Sequence, residues 1–102
     1  MIVHSVYCAI RKSTAEAEIA LVFAQLEALK TVCSGLLSFQ AGPNIDLEKK
    51  SQKFTHGFVM TFSDQAALEA YAVHPDHMAA GAALVRICEG GADGVMVFDL
   101  VV

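Results

Sequence analysis

Two segments of this chain carry apolar side chains at every second residue, and they restrict the possible folds more than any other feature. Residues 2–10 and 54–62 both alternate in this way, which is the period of a β-strand. In residues 2–10 both faces are largely apolar, so we expect that strand to be covered on both sides. His4 and His56 each occupy the more apolar face of their segment.

The remaining segments complete the order β-α-β-β-α-β. We predict strands at 2–10, 36–41, 54–62 and 94–102, a helix at 14–33, a short helix after Ser63-Asp64 that ends at His74-Pro75, and a further helical piece from Pro75 to about Glu89. Ser13 and Glu16 have the spacing of a capping box, which predicts a side-chain cap on the first helix. Residues 45–53 are polar, which predicts an exposed, mobile loop.

This order is typical of a ferredoxin-like α+β fold, a four-stranded antiparallel sheet with the helices on one face. We expect strands one and three to lie parallel at its centre, which would bring His4 and His56 to within about 5 Å of each other. The helix-free face must then be buried in another way or face water. It carries Val3, Tyr7, Val59, Met96, Phe98 and Leu100.

The length and the apolar content point to one domain with a covered surface. The 102 residues suffice for a single domain, at 1–102. Hydrophobic residues make up 55% of the chain, more than a small isolated domain readily buries. Either the core is unusually rich or a subunit interface covers part of the surface, and we favour the interface. Two sheets facing each other across a homodimer would account for the excess.

Charge and composition exclude several classes of partner. No apolar run approaches the roughly 18 residues of a membrane span, and no secretory signal is visible, so we expect a cytoplasmic protein. The net charge is −4, and no basic cluster extends beyond Lys49-Lys50 and Lys53, which argues against nucleic acid or a membrane as partner. Cys8, Cys33 and Cys88 are odd in number, so we expect reduced thiols.

The chemically richest stretch is Tyr71–His77. Its His74-Pro75 pair predicts a helix break, with His77 in the first turn of the next helix and the earlier histidine chiefly starting that helix. Asp99 is the only charge in the last predicted strand, which should run antiparallel to the first and bring Asp99 towards His4. Residues from four separate elements are therefore expected to meet at one place.

Several of these pieces occur together in one known family. In chain order they are His4, Thr55-His56, Phe62-Ser63-Asp64 followed by Leu68 and Tyr71, His74-Pro75-Asp76-His77, and Val97-Phe98-Asp99. Through them nearly the whole chain resembles the stress-responsive dimeric A/B barrel domain family, often called Dabb. The resemblance implies a ferredoxin-like subunit whose helix-free sheet face packs against that of a second copy, forming a dimeric α/β barrel.

The resemblance also implies a site and a chemistry. The family includes a plant polyketide cyclase that makes olivetolic acid, in which a histidine, an aspartate and a tyrosine promote aldol cyclisation. The matching residues here are His77 as base, Asp99 as its orienting partner and Tyr71 as donor to a substrate carbonyl, with His4 and His56 as substrate-binding residues. No cofactor and no metal is implied. We expect an apolar pocket between sheet and helices that takes a small carbonyl or phenolic compound in aldol- or lyase-type chemistry.

Other interpretations of the same residues stay open. His77 and Asp99 can be a buried, mutually satisfied polar pair and Tyr71 part of the core, in a non-catalytic small-molecule-binding or structural homo-oligomer. His74 and His77 have the His-x-x-His spacing of a metal site, although Pro75 disturbs the helical phase between them. A monooxygenase-like barrel that handles haem or quinones rests on fold analogy alone.

Overall fold

Strands form at both alternating segments in the computed structural model, which describes all residues from Met1 to Val102. The regular elements are β1 (Ile2–Cys8), α1 (Glu16–Glu27), a 3-10 turn (Ala28–Thr31), β2 (Leu36–Pro43), β3 (His56–Phe62), α2 (Gln65–Ala72), α3 (Pro75–Ile87), a second 3-10 turn (Gly91–Gly94) and β4 (Val95–Val101). The predicted ferredoxin-like order is confirmed. None of the helices has the length and apolar character needed to cross a membrane.

The sheet has the strand order β2-β3-β1-β4, and every neighbouring pair is antiparallel. The prediction that strands one and three are parallel is therefore wrong. Helical crossovers connect β1 to β2 and β3 to β4 and preserve the direction of the chain, whereas the direct connection from β2 to β3 reverses it. β1 and β3 consequently run in opposite directions at the centre of the sheet.

The antiparallel register separates two histidines that we expected to be adjacent. His4 lies opposite Met60 of β3, whereas His56 lies opposite Cys8 at the other end of β1. The two positions differ by four residues along the ladder, which corresponds to about 13 Å at about 3.3 Å per residue. A site built around His4 therefore does not include His56.

The helices cover one face of the sheet and enclose the core there. The largest fully buried side chains are Tyr71, Phe62, Leu26 and Met60. On the helix-free face, by contrast, large apolar side chains remain open to solvent. Tyr7, Met96, Phe98 and Leu100 are 39%, 40%, 50% and 56% exposed. The predicted division into a core face and an open apolar face agrees with this burial.

The starts of the helices follow the local sequence only in part. Asp64 caps α2 as predicted, its side chain accepting a hydrogen bond from the Ala67 N–H at 2.8 Å. The capping box predicted for α1 is wrong because the helix begins at Glu16, which puts Ser13 too far ahead of the first turn, and no side chain caps this helix. Glu16 and Glu18 instead place carboxylates in the first turn, where the helix dipole favours negative charge.

The polar segment between β2 and β3 is an exposed loop that two side chains close on itself. Asn44 Nδ2 donates to Ser51 Oγ at 2.7 Å and to the Phe54 carbonyl at 2.8 Å. The Asp46 carboxylate accepts from the Lys50 N–H at 2.7 Å and from both the N–H and the hydroxyl of Ser51. These bonds, led by the Ser51 hydroxyl, hold the pKa of Asp46 below its usual value. The loop is exposed as predicted, but its two ends are tied together.

Replacing Asp46 with alanine should open this loop and leave the sheet intact. Three donors lose their shared acceptor, so we expect faster amide hydrogen exchange at Lys50 and Ser51 and unchanged exchange in β1. Because folding lowers the pKa of Asp46, its stabilisation is complete above the unfolded pKa and is lost as pH falls through the folded value. Acid should therefore open the wild-type loop in the same way. Glu48→Ala is the matched control, and equal exchange in the two variants would contradict the role of Asp46.

Candidate functional site

A histidine and a carboxylate meet between β1 and β4. His4 lies directly opposite Asp99 in the ladder, as predicted, and its Nδ1 is 2.5 Å from Asp99 Oδ1. An ionised carboxylate only accepts hydrogen bonds, so the imidazole Nδ1–H donates. His4 is 8% exposed, whereas the Asp99 side chain, on the edge strand, is 39% exposed. A carboxylate on the edge strand β4 thus holds the Nδ1–H of a buried histidine on the inner strand β1.

Tyr71 of α2 contacts this histidine and keeps its hydroxyl unpartnered. Its ring centroid lies 5.7 Å from that of His4 and 5.0 Å from that of Phe62. The residue is 2% exposed, and its buried hydroxyl has no hydrogen-bond partner. Burial, with smaller effects from Cys33 and Asp99, raises the pKa of Tyr71, so the phenol keeps its proton. Since buried hydroxyls nearly always have a partner, this free donor is unusual.

His77, in the first turn of α3, packs against the same tyrosine. The rings of His77 and Tyr71 are 4.2 Å apart between centroids, with 39° between their planes. Nδ1 of His77 lies 3.1 Å from the Ala72 carbonyl oxygen, and because a carbonyl only accepts, Nδ1–H donates. Partial burial lowers the pKa of His77 although the Ala72 bond opposes it, and His4 and His74 add to the lowering. The ring is therefore neutral at neutral pH, with Nε2 available as a base.

Asp99 does not pair with His77, which corrects the predicted orienting contact. The Asp99 carboxylate bonds to His4, and His77 bonds to the backbone of Ala72. The register of β1 and β4 fixes Asp99 opposite His4, while the start of α3 turns His77 back towards the end of α2. Tyr71 contacts both imidazoles and joins them. We call His4, Tyr71, His77 and Asp99 the four-residue cluster.

The other two histidines stand outside the four-residue cluster. His56 lies at the far end of β3, with Nδ1 2.9 Å from Thr55 Oγ1, so its predicted place beside the first-strand histidine is not observed. His74 starts α3 as predicted, because its Nδ1 accepts from the Asp76 N–H at 3.0 Å. That bond sets His74 apart from His77 in role. No group of three or more histidine, cysteine or acidic side chains is arranged to hold a metal ion.

Two neighbours of the four-residue cluster cannot be identified from the sequence. The Ala72 carbonyl fixes the tautomer of His77, but no sequence signal marks a backbone acceptor. Cys33 lies near enough to Tyr71 to contribute to its raised pKa. Its helical spacing after Leu29 indicates a core position and nothing more. Residue types alone therefore predict neither contact.

Comparison with known proteins now gives the family. Residues 2–102 match the sequence profile described as the Stress responsive A/B Barrel Domain, or Dabb. The chain belongs to this family. A dimeric ferredoxin-like protein of unknown function from Jannaschia sp. CCS1 is 44% identical, with a TM-score of 0.91 over 99% of this chain and 98% of that chain. Comparison with curated proteins gave no match.

Two solved structures share the fold of this Dabb protein at lower identity. Hydroxynitrile lyase from Passiflora edulis is 16% identical, with a TM-score of 0.87 over 99% of this chain and 92% of that chain. The cofactor-independent oxygenase SnoaB from Streptomyces nogalater is 14% identical, with a TM-score of 0.77 over 99% of this chain and 91% of that chain. At these identities the likeness shows the fold alone.

Two cavities of the Dabb subunit lie away from the four-residue cluster. A cleft of about 700 Å³ opens on the helix-free face beside the 44–54 loop, where Tyr7, Phe54 and Met96 line it. A groove of about 330 Å³ lies between α1 and β2, lined by Phe23 and Phe39 among others. No predicted catalytic or substrate-binding residue lines either cavity.

Replacing Asp99 with asparagine should weaken the fold measurably. An amide cannot reproduce the bond of an ionised carboxylate, and since Asp99 is partly exposed we expect a loss of about 1 kcal/mol in the free energy of unfolding. Urea denaturation at neutral pH measures it. Asp93→Asn, an exposed acid in the turn before β4, is the control and should change stability by less than about 0.5 kcal/mol. Equal losses in both variants would show that the His4 bond adds no net stability.

Proposed function

We propose that this Dabb protein carries out cofactor-independent acid–base chemistry on a small carbonyl-containing or phenolic compound. The observation that supports it most is a buried phenol with a free O–H, Tyr71, in contact with the imidazoles of His4 and His77. A hydroxynitrile lyase and a cofactor-independent oxygenase share the fold, so the fold is compatible with such catalysis. Aldol- or lyase-type reactions, polyketide cyclisation among them, are the class we favour.

His77 is the proposed base. Its Nδ1–H is held by the Ala72 carbonyl, which leaves Nε2 to accept a proton. The ring is partly exposed, and its lowered pKa keeps it neutral at neutral pH, as a general base must be. In the proposed step Nε2 takes a proton from the carbon next to the substrate carbonyl. The C–H electron pair then forms the enolate, with its charge on the carbonyl oxygen.

Tyr71 is proposed to stabilise that charge directly, with His4 and Asp99 in supporting roles. The Tyr71 hydroxyl donates a hydrogen bond to the developing oxyanion, and its raised pKa means that it does so without losing its proton. Asp99 acts as a positioning residue, since its bond to Nδ1 orients the imidazole of His4 beside Tyr71. In this assignment Asp99 acts through His4, and not through the direct contact with His77 that the sequence predicted.

Access to the four-residue cluster requires movement. The Tyr71 hydroxyl is closed to water, so a substrate must displace protein atoms to reach it. We expect the corner between α2 and α3 to move, because the helix breaks there and Val73 at the break is 77% exposed. Movement of this corner would carry His77 with it, so entry of substrate and placement of the base are coupled.

A non-catalytic role has support of its own. The Asp99–His4 bond is satisfied within the protein, Tyr71 is packed in the core, and the two described cavities are lined by none of the four cluster residues. These observations favour a small-molecule-binding or structural homo-oligomer in which the cluster fixes β4 and α2 against β1. Activity measurements on variants separate this alternative from the enzyme.

Proton exchange tests the reaction without knowledge of the natural substrate. Aryl methyl ketones and arylacetaldehydes, which carry a hydrogen next to the carbonyl, are incubated with the protein in D₂O, and loss of the α-C–H signal is followed by NMR. We expect wild type to accelerate exchange and His77→Ala to reduce the acceleration by about 100-fold or more. His56→Ala is the matched control and should leave exchange unchanged, since His56 lies at the end of β3 away from the four-residue cluster. No acceleration with any probe, or full activity in His77→Ala, would favour the non-catalytic role.

We further propose that the protein is a homodimer formed through the helix-free face. Tyr7 and Phe98 pack together there with ring centroids 6.2 Å apart, and Met96 and Leu100 extend the apolar surface. A soluble domain seldom leaves such a continuous patch uncovered. The Jannaschia protein, which is 44% identical, is described as dimeric.

Replacing Phe98 with aspartate should produce monomers. A charge in the middle of the buried face would lose its water without gaining a partner, so association becomes unfavourable. Light scattering coupled to gel filtration measures the mass of wild type and variant. Leu21→Asp is the matched control, because Leu21 is 72% exposed on α1, away from the sheet face. A monomeric wild type would refute this interface. So would a Phe98→Asp variant that remains dimeric.

A further inference from the structure

Two cysteines that are far apart in the sequence come together behind the end of β1. Cys8 is the last residue of β1, and Cys88 is the residue that ends α3. Both are free thiols with no exposed surface, and both belong to the same core cluster. The proposed acid–base chemistry uses neither of them.

The backbone fixes how the two cysteines are placed. An isolated antiparallel bridge pairs Ile10 with Cys88, flanked by hydrogen bonds from Arg11 N to the Ile87 carbonyl at 2.9 Å and from Glu89 N to the Ala9 carbonyl at 2.7 Å. Cys8 lies two residues before Ile10 and is therefore a diagonal neighbour of Cys88. Diagonal neighbours are about 7–8 Å apart between Cα atoms, slightly beyond the roughly 4.4–6.8 Å of disulfides. A small shift of the end of α3 would close the difference.

The two thiols affect each other directly. Interaction with Cys88, together with burial, raises the pKa of Cys8. The same interaction lowers the pKa of Cys88, and Arg11 adds to this lowering although burial opposes it. Cys88 is thus the more acidic thiol and the better candidate for the attacking thiolate. Cys33 is also buried, and burial raises its pKa.

We propose that Cys8 and Cys88 form a reversible intramolecular disulfide when the folded protein meets a hydroperoxide. The Cys88 sulfur attacks one peroxide oxygen and the O–O bond breaks, which gives a sulfenic acid and, with hydrogen peroxide, one water. The Cys8 sulfur then attacks the Cys88 sulfur, the S–S bond forms, and the hydroxyl leaves with the Cys8 proton as a second water. The two thiols lose two electrons, and the peroxide gains them.

This bond would connect the central strand to the end of the last helix. It closes a loop that includes α1, β2, β3, α2 and α3, so it restricts the unfolded chain strongly. Because both sulfurs are closed to solvent, oxidation needs a local opening of the fold. The Gly90-Gly91 turn, which follows Cys88 closely, is suited to such an opening because both glycines have positive φ. The oxidised protein should therefore form slowly and resist unfolding once formed.

The test treats the full chain, folded and in urea, with hydrogen peroxide and maps disulfides by mass spectrometry of non-reduced digests. In the folded protein we expect the Cys8–Cys88 linkage to exceed either linkage to Cys33 by more than about tenfold. The urea-unfolded chain should give all three pairings, which shows that each is detectable. Oxidation should raise the unfolding temperature by roughly 5–10 °C, and dithiothreitol should reverse the change.

Cys33→Ser is the matched control and should form the same disulfide as wild type. Cys88→Ala should show no disulfide at Cys8 and no rise in unfolding temperature on oxidation. Cys8→Ala should likewise show no disulfide at Cys88, so one variant tests the proposal if the other folds poorly. Folded protein that keeps both thiols under peroxide while the unfolded chain is oxidised would overturn the proposal. So would a predominant linkage to Cys33 or a lower unfolding temperature after oxidation.

Discussion

The pairing of β1 with strands on both its sides is the constraint on which the rest of the structure depends. Its register with β4 sets His4 against Asp99, and its register with β3 sets the same histidine against Met60 in the core. A slip of one residue would exchange the two faces of the strand, exposing the core side chains and leaving His4 without its carboxylate. The fold and the four-residue cluster are therefore specified by the same hydrogen bonds.

Tyr71 connects that sheet to the helices, but its unpartnered hydroxyl lowers the stability of the fold. A buried hydroxyl without a partner costs about 1–3 kcal/mol in stability, which the surrounding aromatic contacts with His4, Phe62 and His77 help to offset. A phenylalanine would fit the packing without that cost. The presence of a tyrosine is therefore better explained by a molecule that accepts its hydrogen bond than by packing, and this argument supports the proposed acid–base site.

The sequence predicts the order of the elements because alternation and helical spacing are local properties, and it predicts the approach of Asp99 to His4 once β1 and β4 are antiparallel. The alternating pattern alone does not give the direction of β3 relative to β1, but the order of the connections does: two helical crossovers and one direct connection make these strands antiparallel, contrary to the parallel arrangement that we predicted. The partner of His77 was predicted wrongly for a different reason: the acceptor is a backbone carbonyl, which every residue has. The proximity of Cys8 to Cys88 likewise depends on tertiary pairing.

The open apolar face makes folding and association parts of one equilibrium under the proposed dimer. A lone subunit leaves Phe98 and Leu100 half or more exposed, so part of the hydrophobic stabilisation is gained only when a second copy arrives. Each doubling of the amount of protein then draws more chains out of the unfolded pool. The lifetime of a single molecule against unfolding and proteolysis would depend on how many others had been synthesised around it, which makes abundance itself a determinant of survival.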